Sequence, residues 1–155
     1  MGHPKQISNT AKGIFIALLE VLAENQHLKI DKGGEGIMPL TIERINTGLK
    51  TPWGTGCVIS LAHYYELNGD LMRDPEITYL VVDNRPEPGD FDLIGIWPAE
   101  FTNDGAGVYH RYLEFNDGEV TLTNENSQHD AATFSTSWFN NLKWQQEITP
   151  AKKRK

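Results

Sequence analysis

The sequence predicts an α+β fold: an antiparallel meander of five to six strands packed against an N-terminal and a C-terminal helix. Three observations carry it. Helical apolar spacing is confined to the two ends, β-branched and aromatic runs fill the middle, and Asn-Gly or Asp-Gly pairs separate those runs. With 155 residues, 39% hydrophobic and 23% charged, the chain has the size and composition of one globular domain. That domain is placed at 1–150, with a disordered basic tail over 151–155.

The first helix is predicted at about 10–25. Ser8, Asn9 or Thr10 supplies its N-cap, and Ile14, Leu18, Val21 and Leu22 share one face. Residues 27–36 are polar and glycine-rich and receive no element. Leu40 and Ile42 alternate with Thr41 and Glu43, which predicts a strand over 39–46, and the glycines and Pro52 of 48–56 predict a loop carrying Trp53. Strands follow at 57–66 and 76–83. Asn68-Gly69 is a turn signal between them, but Asp70 to Pro75 intervenes, so the connection is expected to exceed a two-residue hairpin. In a regular strand Tyr65, not Tyr64, shares the face of His63.

Residues 84–90 hold two prolines and a glycine and read as a surface loop, and 91–101 as a strand broken at Pro98 by a bulge or an edge position. Asn103-Asp104-Gly105 and Asn116-Asp117-Gly118 turn the chain into strands at 108–115 and 119–123. The last helix is predicted at about 127–146, capped by Asn126 or Ser127, with Ala131, Phe134, Trp138 and Leu142 on its buried stripe and Thr149-Pro150 at its end. Most of the tryptophans are expected in the core, with Trp53 either exposed or folded back as a plug; Trp144 lies off the stripe and is assigned as an exposed contact residue.

Charge narrows the function. Residues 1–50 hold six basic and five acidic side chains, 51–150 hold four and sixteen, and 151–155 hold four and none. An acidic body of this kind repels phosphate backbones, so duplex binding is disfavoured and a basic partner is favoured. Glu66, Asp70, Asp74, Glu76, Asp83, Glu87, Asp90 and Asp92 face only Arg73 and Arg85 within 66–92, and these eight acids are the expected partner-binding surface, together with Trp144. The apolar run from Ile14 to Leu19 is too short to span a bilayer, and the protein is expected to be cytoplasmic and to make no membrane contact. One cysteine, Cys57, allows no internal disulfide.

Other chemistry is weaker. His63, Asp70 and Asp74 are the residue types that ligate a divalent cation or run acid/base catalysis, but their spacing matches no strong motif, and turn and strand roles are preferred. Cys57 reads as a buried thiol. Lys32-Gly33-Gly34-Glu35-Gly36 lacks the Gly-Lys-Ser/Thr of a phosphate loop. His110, Arg111 and Tyr112 read as a solvated strand face. Arg111, Lys143 and the basic tail are the residues of a rival nucleic-acid-binding reading. No cofactor and no metal are expected.

The run His63-Tyr64-Tyr65-Glu66-Leu67-Asn68-Gly69-Asp70-Leu71-Met72-Arg73-Asp74-Pro75-Glu76 resembles a phrase of an uncharacterised small domain of phages and conjugative plasmids. A tract like Trp97-Pro98 to Asp104 and a helix like Trp138-Phe139-Asn140-Asn141-Leu142 follow it there. The resemblance covers about residues 57–145, with 84–90 as an insertion. It implies a mobile-element accessory protein and supplies no activity, cofactor or catalytic residue. The expected function is therefore non-enzymatic binding of a host protein with a basic surface, such as a nucleic-acid-binding defence enzyme.

Overall fold

A computed structural model describes residues 2–154. Helix α1 (Asn9–Leu22) starts at Ser8, whose Oγ accepts the Ala11 N–H at 3.2 Å. Strands β1 (His27–Ile30), β2 (Leu40–Thr51), β3 (Gly54–Leu67), β4 (Asp70–Asp83), β5 (Ile94–Asn103) and β6 (Val108–Arg111) form one antiparallel sheet in sequence order. Strands β7 (Leu113–Asn116) and β8 (Glu119–Leu122) form a separate ribbon, and helix α2 (Glu125–Gln145) follows. The α+β class and the meander are as predicted.

Both helices cover one face of the sheet. Ile42, Ile59, Leu61, Ile77, Tyr79, Val81 and Ile96 point at α1 and α2 and are all buried. The opposite face carries Leu80, Val82 and Trp97, which pack under Leu113, Phe115, Val120 and Leu122 of the β7–β8 ribbon. Two apolar faces need two covers, and this explains why the strand predicted at 108–115 divides. At Tyr112 the chain leaves the sheet: its N–H donates to Ala99 O at 2.8 Å, its O accepts from Thr123 N–H at 2.9 Å, and the next residues cross onto the other face.

Several boundaries differ from the prediction. Strand β1 arises in the stretch read as irregular, because Leu28 and Ile30 alternate with His27 and Lys29 over only four residues. Strand β2 continues to Thr51 through two register shifts, so the loop predicted at 48–56 shrinks to a turn at Pro52-Trp53. The Trp53 ring stacks on Trp97, centroids 4.5 Å apart. Strands β3 and β4 are joined by a tight turn after all: Leu67 pairs with Asp70, and Asn68 and Gly69 have φ of 53° and 87°, the positive pair of a type I′ hairpin. Pro75 is absorbed within β4 by a bulge, since Ala62 pairs with Glu76 and Tyr64 with Arg73. The break at Pro98 is a bulge as predicted, between the pairs Tyr79↔Pro98 and Thr78↔Glu100.

Helix α2 is capped by Asn124, whose Oδ1 accepts the Ser127 N–H at 3.1 Å, rather than by Asn126 or Ser127. Its buried stripe runs through Gln128, Ala131, Ser135, Trp138, Phe139 and Leu142, leaving Phe134 44% exposed. The stripe turns toward Ser135 because the Tyr79 hydroxyl, fully buried, hydrogen-bonds to Ser135 Oγ at 2.8 Å. Residues 151–154, expected to be disordered, run back against α1 and the β4–β5 connection; Lys155 lies outside the described residues.

Gly69 has open space where a Cβ would stand, so a side chain there is penalised by its backbone angle alone. Gly69→Val should destabilise the protein by roughly 1–2 kcal/mol, a fall of several degrees in Tm, and Gly69→Asn should recover most of it. An unchanged Tm for the valine variant would contradict the turn geometry.

Candidate protein-interaction site

The run singled out at 63–76 folds into a projecting arm. The last β2–β3 pair at that end is Thr41↔Ala62 and the last β4–β5 pair is Glu76↔Thr102. Among the described residues, no strand flanks Tyr64–Arg73 on either side. Its four pairs, Tyr64↔Arg73, Tyr65↔Met72, Glu66↔Leu71 and Leu67↔Asp70, make a ribbon roughly 13 Å long. Residues paired across an antiparallel ribbon share a face, so Glu66 lies beside Leu71 and Asp70 beside Leu67. Leu67 is 49% and Leu71 63% exposed. An isolated two-stranded ribbon is marginal in water, and this one is held at its base by Arg73.

The Arg73 guanidinium forks Asp104, with Nε to Oδ2 at 2.9 Å and Nη2 to Oδ1 at 3.0 Å, and the Arg73 N–H donates to the same Oδ2 at 2.9 Å. On its other side Arg73 reaches Glu76 at 3.5 Å, and Glu76 accepts from Ser60 Oγ at 2.6 Å. The arm is thereby bolted to the β5–β6 turn and to β3. Beside it opens a cleft of about 520 Å³, lined by Tyr64, Glu66 and Leu71 of the arm and by His27, Lys29 and Glu43 of β1 and β2. Burial, then the carboxylates of Glu76 and Glu43, push the Tyr64 hydroxyl up; it stays a protonated donor at neutral pH.

The eight acids do not form one surface. Glu66 and Asp70 are at the arm tip, while Asp83 ends β4 and Glu87, Asp90 and Asp92 follow in the β4–β5 connection, roughly 40 Å away along β4. Asp74 and Glu76 are half-buried at the arm's base, where Asp74 Oδ1 accepts from Asn103 Nδ2 at 3.1 Å. In the connection Arg85 forks Asp83 through two contacts of 2.9 Å. Burial alone would raise the Asp83 carboxyl, but the Arg85 fork outweighs it and holds the group low. Trp144 is 77% exposed near the end of α2, with Lys143 Nζ 5.0 Å from its ring.

His63, Asp70 and Asp74 are not brought together. The His63 ring is buried: Nε2 accepts from Trp138 Nε1 at 3.3 Å, which makes Nδ1 the protonated nitrogen and donor to Pro39 O at 2.9 Å. Both nitrogens are thus occupied by packing, and Asp70 is at the arm tip. Among the described residues, Arg111 of β6 stands 3.9 Å from Glu100, Lys143 covers Trp144, and Lys153 and Arg154 sit on the acidic connection, so these side chains build no common basic patch. Burial pushes the Cys57 thiol up, away from nucleophilic use. Residues 32–36 are tied to the end of α2, with the Lys32 N–H donating to Gln146 Oε1 at 2.8 Å. Leu67, Leu71, Arg73 and Asp104 were not among the predicted site residues; their signals were the two leucines straddling Asn68-Gly69 and the place of all four in the tracts that carry the resemblance.

The chain belongs to the family described as a domain of unknown function, DUF6908, whose model matches residues 9–148. The match begins at α1 and ends just past α2, so it takes in residues 9–56, which lie outside the stretch that carries the sequence resemblance. Neither a curated protein nor a solved structure matches the chain.

The arm's fixation is predicted to depend on pH. The Arg73 hydrogen bonds hold the Asp104 carboxyl below its ordinary range. A depressed carboxylate contributes fully above its unfolded value, about 3.9, and loses that contribution as pH falls through the folded value. Backbone ¹⁵N relaxation should show residues 65–72 becoming more mobile below about pH 4, with 77–82 unchanged. Asp104→Asn should loosen the arm in the same way at pH 7; a rigid arm in that variant would refute the clamp.

Proposed function

We propose that this DUF6908 domain is a non-enzymatic binding module, an accessory protein of a phage or conjugative plasmid, and that its β3–β4 arm enters a basic groove of a host protein. The observation that carries this reading is the unflanked ribbon Tyr64–Arg73 with two exposed leucines at its tip. The two leucines are exposed on opposite faces of a projecting element, and large apolar side chains left in water there mark an interaction site. Glu66 and Asp70 stand beside those leucines, and no salt bridge among the described residues reaches them. A groove that binds nucleic acid offers the complement: cations at its rim, for which two carboxylates stand in for phosphates, and apolar walls for the leucines. The mobile-element origin rests on the resemblance of residues 63–76.

The test is capture of a host partner by the immobilised protein, followed by titration of that partner against variants. Leu67→Ser/Leu71→Ser and Glu66→Lys/Asp70→Lys should each weaken binding at least about tenfold, a loss of 1.4 kcal/mol or more. Tm should stay near that of the unmodified protein, since exposed substitutions shift stability by less than about 0.5 kcal/mol. Binding should also weaken as salt rises. Glu87→Lys, at the far end of β4, should leave it unchanged. A partner that binds both tip variants as tightly as the unmodified protein would overturn the proposal.

A further inference from the structure

Beyond α2 the chain doubles back. The Ala151 N–H donates to Gly13 O at 2.9 Å and the Arg154 N–H to Gly89 O at 2.7 Å. Both acceptors are glycines, and both stand where a side chain would collide with the returning backbone. A Cβ on Gly13 would lie 2.8 Å from Ala151 O, and one on Gly89 would lie 2.9 Å from Arg154 N and 3.2 Å from its Cα. Glycine inside a helix is less favourable than alanine, so this close approach is a structural reason for Gly13 in the buried body of α1. The side chains then meet carboxylates in turn: Lys153 Nζ is 3.6 Å from Asp92, and Arg154 Nη1 is 3.5 Å from Asp90. A cleft of about 440 Å³ separates the two segments.

A glycine that admits an extended backbone and two carboxylates spaced for successive basic residues are the parts of a peptide receptor. We propose that the β4–β5 connection is a binding site for a lysine- and arginine-rich segment of a partner protein, and that Lys153 and Arg154 occupy it in cis as a displaceable strap. The strap is suited to displacement. The Lys153–Asp92 pair is exposed on both sides, and Arg154 is largely in water although Asp90 is largely buried; exposed pairs bind weakly. Tethering supplies a high effective concentration in compensation, so the strap screens the site against weak ligands and yields to a strong or abundant one. This site is at the opposite end of β4 from the arm and does not rest on the arm reading.

The probe is a labelled peptide Pro-Ala-Lys-Lys-Arg-Lys, the sequence of residues 150–155, titrated by fluorescence anisotropy at low salt against the full chain. Lys153→Ser/Arg154→Ser frees the site and should raise affinity for the peptide at least about fivefold. In that background Asp90→Asn/Asp92→Asn should abolish binding. Gly89→Ala, which alters no charge, should weaken it at least about fivefold, as its Cβ fills the space of the peptide backbone. A second measurement uses the unmodified protein. Saturating peptide should move the Arg154 amide resonance toward its random-coil position and shift the amides of Gly89 and Asp92. Equal affinity for the strapped and freed chains, or an Arg154 amide unmoved by excess peptide, would overturn the proposal.

Discussion

Tyr79 is the group on which the remaining structure depends. It sits in the middle of β4 with no exposed surface, and its ring packs against Phe15 of α1 and Phe139 of α2 at centroid distances of 5.2 and 5.6 Å. Aromatic clusters of this kind contribute beyond their buried area. A hydroxyl taken out of water must find a partner or incur a penalty of about 1–3 kcal/mol; here Ser135 supplies it. That bond, the Trp138–His63 hydrogen bond and the burial of Phe139 and Leu142 together set the rotation of α2. With the rotation set, Gln128 is buried and receives the Lys5 N–H while donating to Lys5 O, so the N-terminal segment is fastened by the same helix. Burial pushes the Tyr79 hydroxyl far above its ordinary value, so it stays neutral at every ordinary pH.

With its centre held, β4 acts as a spine whose ends reach beyond the body. One end pairs only with β3 and becomes the arm; the other leads into the acidic connection, where residues after α2 return to it. Each end has its own anchor, Arg73 with Asp104 and Arg85 with Asp83, and both are forked guanidinium–carboxylate contacts, whose planar geometry fixes orientation as well as distance. A binding event at one end has no structural need to disturb the other.

The sequence made the fold class legible because its signals were local and strong. Ser8, one of three candidate caps, caps the first helix, and of the bulge or edge position expected at Pro98 the structure has the bulge. The errors came where tertiary structure overrode a local rule. Asp74-Pro75 read as the end of a connection, but a bulge opposite His63 let the strand pass through it, and the Asn68-Gly69 turn then closed directly. Phe134 satisfied the helical period as well as Ser135 did, and contacts across the core, the Tyr79 hydroxyl and the His63 ring among them, decided between the two. β1 was missed because four residues are too few for alternation to stand out. The site was less legible still. Counting acids along 66–92 measured charge per length of chain, and chain length is a poor guide to proximity when the segment includes a strand spanning the whole sheet.

The same geometry changes what the net charge means. A body of sixteen acids and four bases with a cationic end suggests one acidic face and one free basic peptide. Folding instead brings the two together, because Lys153 and Arg154 lie on Asp92 and Asp90, and Arg85 meets Asp83 beside them. Opposite charges within contact distance screen each other's field at longer range, so the field of the acids at 83–92 is attenuated in the structure. At the arm, Arg73 is taken up by Asp104 and Glu76 at the base, two residue pairs short of Glu66. The tip therefore presents two carboxylates that no salt bridge among the described residues reaches, next to apolar side chains that water solvates poorly. A partner groove lined with cations and apolar walls gains at that tip from both terms at once, whereas at the connection it must first compete with the chain's own lysine and arginine.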